Sequence, residues 1–243
     1  MDFKLKILYE DKDILAIDKQ AGISVHGDGR NDVETLADLI LKEYPEMKNV
    51  GEPMEIEVNG EIKKIFRPGI VHRLDKDTSG VLLLARNQNA YEFLKKQFQN
   101  REIKKTYITL VSGHMKNDTG TIDASIGRSP SDPRKRIASR GKSGKLRDAV
   151  TEYKVLERIE IDGEKYTWVE VYPKTGRTHQ IRVHMKFLNH PVVCDKLYAS
   201  DKNCPESISR LALHAKSIEF KNLAGENLKI EAPISEDLKS INK

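Results

Sequence analysis

Gly69-Ile70-Val71-His72-Arg73-Leu74-Asp75-Lys76-Asp77-Thr78-Ser79-Gly80 sets a carboxylate between two short apolar runs, Ile70-Val71 before it and Val81-Leu82-Leu83-Leu84-Ala85 after it. Short apolar runs bounded by glycine and polar residues read as strands, so the stretch is strand, polar loop, strand. The loop holds Asp75 among Arg73, Lys76, Thr78 and Ser79, an acid set among bases, which is how a protein presents a carboxylate to a polyanion. By itself an Asp here also reads as a turn cap, a common use of the residue. Asp77 is assigned a structural role.

Working outward, Ile7-Leu8-Tyr9 and Ile14-Leu15-Ala16-Ile17 read as strands joined by a turn at Glu10–Asp13. Asn31 and Glu34 have capping-box spacing, which predicts a helix from Asn31 with Val33, Leu36, Ala37, Ile40 and Leu41 inward and a stop at Pro45. Asn59-Gly60 between Glu55–Val58 and Glu61–Lys64 is a hairpin signal. A second helix is expected from Asn87 to about Phe98, with Ala90, Phe93, Leu94 and Phe98 inward. Lys104–Val111 reads as a strand with Tyr107, Thr109 and Val111 on one face. Val150–Leu156 and Tyr166–Tyr172 alternate as strands around Asp162-Gly163. Thr178 is placed as the N-cap of a helix that ends near Asn189, with Ile181, Met185 and Leu188 inward. In that helix His179, Arg182 and Lys186 share a face. Leu211–Phe220 is another strand. Strands outnumber helices and hairpin signals recur, so the expected fold class is α+β: a single domain over residues 1–243, with a mixed, mostly antiparallel central sheet flanked by helices.

The chain has 243 residues and a net charge of +5, enough length to bury a core and enough positive charge to suit a polyanionic partner. Its longest apolar run, Val81–Ala85, cannot span a bilayer, and no apolar signal region follows Met1. Cys194 and Cys204 form no Cys-x-x-Cys and are expected as reduced thiols of a cytoplasmic protein. From Arg128 to Arg147 eight basic residues face one acid, Asp132, among two prolines and two glycines. This segment is expected to be a long cationic loop without regular structure, with Arg134, Lys135 and Arg136 gripping a polyanion.

His72-Arg73-Leu74-Asp75-x-x-Thr78-Ser79-Gly80 resembles the signature of the RluA-type family of RNA pseudouridine synthases. The resemblance implies that Asp75 is the catalytic residue of an isomerase that converts uridine to pseudouridine in RNA. Gly176-Arg177-Thr178-His179-Gln180-Ile181-Arg182 is similar to a further motif of the family. There the last Arg pairs with the catalytic Asp, implying that role for Arg182 and RNA contacts for Arg177 and His179. Lys105-x-Tyr107 resembles the family strand whose Tyr stacks on the target base, which implies that role for Tyr107, with its hydroxyl a candidate for help in removing the C5 proton; by itself Tyr107 reads equally as a core or edge tyrosine. Arg73 then reads as the plug that replaces the flipped uridine, or else as a phosphate or ion-pair contact, and His72 as a brace of the loop. Leu211-Ala212-Leu213-His214-Ala215 resembles a segment near the base pocket, with Leu213 against uracil or simply in a core strand. Matching residues run from Ile7 to Pro233, and the family's fold is the mixed, mostly antiparallel sheet with helices around it.

The implied reaction breaks the N1–C1′ bond, turns the uracil and joins C5 to C1′, so no cofactor and no metal is expected. A carboxylate serves it by adding to C1′ or by taking a proton from C2′. The catalytic pattern begins almost at Met1, so the small extra RNA-binding domain of many members is expected to be absent. Large-subunit ribosomal RNA is the favoured substrate and transfer RNA the alternative, with the chain acting as a monomer. Other chemistries fit poorly. His179 and His184 lack metal-ligand spacing. Gly141-Lys142-Ser143 has Arg136 where a phosphate-binding loop needs glycine, and the zinc deaminase signature is absent. A rival of another class is a non-catalytic RNA-binding or ribosome-assembly protein on the same fold, which loss of the Asp, Tyr or Arg would signal; all three are present.

Overall fold

A computed structural model describes residues 3–29, 31, 33–58, 60–141, 146–200 and 204–239. The fold is α+β with mostly antiparallel strand pairing, as expected. The chain divides into two compact units, residues 1–103 with 217–233, and residues 104–216 with 234–243.

In the first unit β1 (Ile7–Glu10) pairs antiparallel with β2 (Ile14–Lys19), which pairs antiparallel with β5 (Ser79–Ala85). The β1–β2 turn closes because the Asp11 carboxylate accepts the N–H groups of Asp13 and Ile14, both at 2.7 Å. β5 is buried along its whole length, as a leucine-rich central strand requires. Helix α1 (Leu36–Glu43) starts later than Asn31. The reason is a competing cap: Asp38 accepts from the backbone N–H and the hydroxyl of Thr35, at 2.8 and 2.7 Å, so the chain enters the helix there. Val33, expected inward, is 66% exposed. The β3 (Met54–Val58) and β4 (Glu61–Ile65) hairpin forms as read, with Asn59 of its turn outside the described residues. Helix α2 (Gln88–Asn100) is capped by the Asn87 side chain, which accepts from Ala90 N–H at 3.0 Å.

In the second unit β6 (Lys104–Ser112), β11 (Glu164–Pro173), β10 (Val150–Ile161) and β7 (Thr119–Asp123) pair in that order, all antiparallel. Asp162 and Gly163 both take positive φ, the conformation that turns β10 back into β11. Both faces of β6 are covered from Ile108 to Val111, one by a cluster with Val169, Val171, Ile181 and Met185, the other by a cluster with Trp168, Val193 and Ile208. The N-cap of helix α3 (Gln180–Phe187) is His179 and not Thr178: His179 adopts the left-handed conformation that bends the loop into the helix. β12 (Leu213–Lys221) starts in this unit and ends in the first, where it pairs antiparallel with β13 (Asn227–Glu231); α4 (Glu236–Lys239) follows.

Two expectations are corrected here. The basic segment is not an irregular loop: β8 (Ser125–Arg128) and β9 (Arg136–Ser139) form an antiparallel hairpin, and Arg147 bridges back to Ile126. Ile126, with Ala149, Val183 and Tyr198, gives the hairpin an apolar anchor that outweighs its proline and glycine content. Lys142 and Lys145 lie outside the described residues. Nor are the cysteines reduced thiols: Cys194 and Cys204 are joined in a disulfide, with Cα atoms 4.9 Å apart.

Candidate active site and RNA-binding surface

The Asp75 loop is held from both ends. Ile70 bridges to Leu84 of β5, and Thr78 donates its N–H to Asp75 O at 3.1 Å, closing a turn over the motif. Gly69 is needed for the approach: its φ is +62°, and an added Cβ would lie 2.0 Å from Ala85 O. Leu74 is buried, so Asp75 on the next residue is carried outward, half-buried, while Arg73 is exposed. His72 Nε2 accepts the N–H of Leu83 at 2.9 Å, which leaves the proton on Nδ1, and its ring stacks on Phe98 at 4.8 Å between centroids. This is a bracing role.

Sequence reasoning missed Lys19. Its side chain is 1% exposed, and its ammonium donates to the carbonyls of Gln20, Ile23 and Lys76 at 2.9, 3.0 and 2.9 Å. Lys76 O also accepts Gly22 N–H at 2.9 Å. A buried charge costs several kcal/mol unless satisfied, by about that scale for each ion, and here three carbonyls satisfy it while tying the residue after Asp75 to the β2 end. A lone lysine closing an apolar strand was the available signal. Arg67 was missed too. Burial pushes its guanidinium below its ordinary pKa, and its Nε is buried without a hydrogen-bond partner. Burial also pushes His26 down, and the positive charges of Arg67 and Arg73 add to that shift. The motif is thus flanked by a cationic edge of Arg67 and Arg73 around a histidine held towards its neutral form.

In the second unit Gln180 shapes the Lys174–His179 loop. It is buried and fully engaged: Oε1 accepts the Thr175 hydroxyl at 2.7 Å and Arg177 N–H at 2.9 Å, while Nε2 donates to Val150 O and Thr151 Oγ1, both at 3.0 Å. Arg177 Nε donates to Asp148 O at 3.0 Å. His184, fully buried between Thr151 Oγ1 and Ala124 O, has its pKa lowered chiefly by burial and serves as a structural residue.

Arg182 is 8% exposed and grips Asp195, 1% exposed, through Nε at 2.7 Å and Nη2 at 2.8 Å. Tyr198 lies under the guanidinium at 5.1 Å, and its hydroxyl meets His179 Nδ1 at 2.9 Å and Arg136 N–H at 2.8 Å. Asp195 Oδ1 also accepts Leu197 and Tyr198 N–H at 2.9 and 3.1 Å. The loop after Cys194 thus holds the helix α3 arginine through Asp195 and Tyr198, and the His179 bend and strand β9 in turn hold the Tyr198 hydroxyl. Nothing local to Arg182 in the sequence points to Asp195.

Tyr107 is half-buried and packs against the cluster that holds Val171, Ile181 and Leu213, so two of the expected base-pocket residues share one apolar surface. Two positions before it, burial pushes the Lys105 ammonium down to about 8. A Cβ on Gly176 would lie 3.9 Å from Lys105 Nζ, which sets this lysine beside the Gly-Arg-Thr-His turn. On the hairpin, Arg134 clasps Asp132 with Nε and Nη2 at 3.0 and 2.9 Å, and the Arg134 hydrogen bonds hold the Asp132 carboxyl down at about 2. Arg136 Nη1 donates to Pro133 O and Lys135 O at 3.1 Å each. Of the expected site residues, Arg73, His72 and Asp75 belong to the first unit, and Tyr107, Arg134, Lys135, Arg136, Arg177, His179, Arg182 and Leu213 to the second. Among the described residues no cluster of His, Cys, Asp or Glu could hold a metal ion.

Comparison with known proteins identifies the family. Residues 13–187 match the family model described as RNA pseudouridylate synthase. An uncharacterized RNA pseudouridine synthase of Bacillus subtilis, YlyB, is 38% identical over 96% of this chain and 70% of its own length. The Ribosomal large subunit pseudouridine synthase D of Xanthomonas campestris is 38% identical over 99% of this chain and 69% of its own. Among solved structures, Human RNA Pseudouridylate Synthase Domain Containing 1 superposes with a TM-score of 0.74 at 26% identity, covering 99% of this chain and 90% of that one. The chain belongs to the RNA pseudouridylate synthase family, in its RluA-type branch, and is an isomerase acting on RNA.

Proposed function

We propose that the chain isomerises specific uridines of large-subunit ribosomal RNA, with Asp75 as the catalytic carboxylate and residues 1–243 acting as one catalytic domain. The observation that carries the catalytic assignment is the anchoring of the Asp75 loop: a buried β5, the Gly69 approach, the Thr78 turn and the Lys19 ammonium all hold a half-buried carboxylate in place. Preorganised placement of a reacting group is a major source of rate enhancement. Asp75 either adds to C1′ as the N1–C1′ bond breaks and is displaced when C5 bonds to C1′, or takes the C2′ proton as that bond breaks and returns it when C5 bonds. The freed uracil turns in between, the C5 proton is then lost and N1 takes one up. Tyr107 stacks on the uracil, supported by Leu213, and Arg182 is the cation that partners the carboxylate. The name of the Xanthomonas relative supports ribosomal RNA as the substrate.

The test is Asp75→Asn. Tritium release from RNA made with 5-tritiated uridine should stop, while the circular dichroism spectrum and RNA retention persist. Substantial turnover by the pure variant would remove Asp75 from the chemistry. A nucleotide-resolution pseudouridine map of total RNA with and without the gene then decides the substrate: lost sites in transfer RNA alone would overturn the ribosomal assignment.

A further inference from the structure

Within the second unit a cavity of about 330 Å³ opens between the β8–β9 hairpin and helix α3. Three cations line it, Lys135 and Arg136 from the hairpin and Lys186 from the helix, and no carboxylate among the described residues does. Its apolar side includes Ile137, Phe187 and Leu197, and Ser129, Tyr198 and Ser200 add hydroxyls to the lining. Ile137 is 42% exposed, an uncovered β-branched side chain between Arg136 and Ala138 on β9. The Arg140 guanidinium lies over the Phe187 ring at 5.3 Å, a cation–π pair of the kind that extends readily onto a third flat group.

An apolar wall with cations on two sides suits a ligand that is flat and apolar at one end and anionic at the other. A nucleotide has that form. The volume lies at the low end of the roughly 300–1,000 Å³ of small-molecule sites, room for one nucleotide and not for a helix. Neither Asp75 nor Tyr107 is among its walls, so it is not the place of the reacting uridine. Tyr198, which lies under Arg182, does form part of the wall and separates the cavity from the buried arginine.

We propose that this cavity takes one unpaired nucleotide of the substrate RNA other than the target uridine, its base against Phe187 and Ile137 and its phosphate among Lys135, Arg136 and Lys186. The proposal rests on the RNA-synthase reading above. Held there, a second extruded nucleotide would fix the register of the RNA strand.

The test uses the full chain with isoleucine methyl groups labelled for NMR and Ile137 as reporter. Uridine 5′-monophosphate and adenosine 5′-monophosphate should each shift the Ile137 methyl in a saturable way. Uridine, which lacks the phosphate, and ribose 5-phosphate, which lacks the base, should bind at least tenfold more weakly. Lys186→Ala should weaken binding of the monophosphates by about tenfold or more, as loss of a charge-assisted contact does. Ser200→Trp, at an exposed wall position, should block the shift while the other isoleucine methyls stay in place. An unmoved Ile137, equal binding of ribose 5-phosphate, or unchanged affinity in Lys186→Ala overturns the proposal. Tritium release by the unmodified protein is read in parallel: turnover with an unresponsive Ile137 defeats the cavity and spares the synthase reading. A titrating Ile137 supports the cavity even if Asp75→Asn remains active, which defeats only the Asp75 assignment.

Discussion

Asp195 holds Arg182 in a buried bidentate pair, Nε to Oδ2 at 2.7 Å and Nη2 to Oδ1 at 2.8 Å, with both side chains at or below 10% exposure. Such a pair is of little net worth against an apolar replacement, but removing one partner strands the other charge. The orientation of a motif arginine is therefore set by a carboxylate 13 residues away.

Asp195→Ala should lower stability by about 3–5 kcal/mol, the usual cost of breaking a buried pair. Asp195→Asn keeps an acceptor for Leu197 and Tyr198 N–H and should cost less, yet slow single turnover because the guanidinium loses its opposing charge. Urea unfolding and single-turnover kinetics check both. Equal midpoints for Asp195→Ala and the parent would show that the pair does not anchor the site.

Lys105 gives a pH signature. Its ammonium is depressed by burial from the ordinary 10.5 to about 8. Below pH 8 folded and unfolded chains both carry the proton and the burial cost is complete. Between about 8 and 10.5 the folded protein releases it while the unfolded chain keeps it, so this lysine makes stability rise with pH across that window. Lys105→Met should remove the rise. Urea midpoints at pH 8, 9 and 10 measure it, and parallel curves for variant and parent would contradict the assignment.

Salt dependence separates the hairpin cations. Each phosphate contact adds roughly 0.7–0.9 to the slope of log affinity against log salt. Lys135→Ala with Arg136→Ala should reduce the slope by about 1.4–1.8 if each makes one contact. Arg134 is clasped by Asp132, so Arg134→Ala uncovers an acid as it removes a base, and its effect should fall below one contact, under about 0.7. Filter binding from 50 to 200 mM salt gives the slopes. An unchanged slope in the double variant would move the RNA grip elsewhere, to Arg177 and Lys186.

The disulfide closes a loop of sequence separation 10 that carries Asp195 and Tyr198. Cys204 is exposed, so a reductant reaches it. Chain-entropy reasoning gives about 2–3 kcal/mol for a loop this short. Dithiothreitol should lower the urea midpoint accordingly and slow turnover through the Asp195–Arg182 pair, while Cys194→Ser/Cys204→Ser should be insensitive. Identical midpoints with and without reductant would dismiss the link.

Elements governed by near neighbours were legible. The Asp162-Gly163 turn, the Asn87 cap and the alternation of β10 and β11 all depend on residues within a few positions of each other. Where two local signals competed, reading failed: Asn31 and Glu34 have the same spacing as Thr35 and Asp38, and only the second pair closes the box. The proline- and glycine-bearing basic segment looked irregular because its ordering contacts, Ile126 to Ala138 and to Arg147, are made across the hairpin and not along the chain.

The sequence by itself determined the α+β class, the polar loop that carries Asp75 and, through three ordered motifs, the family of RNA isomerases. Those are local patterns, set by side-chain chemistry and backbone preference over a handful of residues. Only the tertiary structure decided that Lys19 ties down the Asp75 turn from 57 residues away, that Asp195 orients Arg182, that Cys194 meets Cys204, and that Lys135, Arg136 and Lys186 surround one cavity. Such partners are chosen by which surfaces pack together, and in a dense interior a buried charge is tolerated only where packing happens to deliver its counter-group.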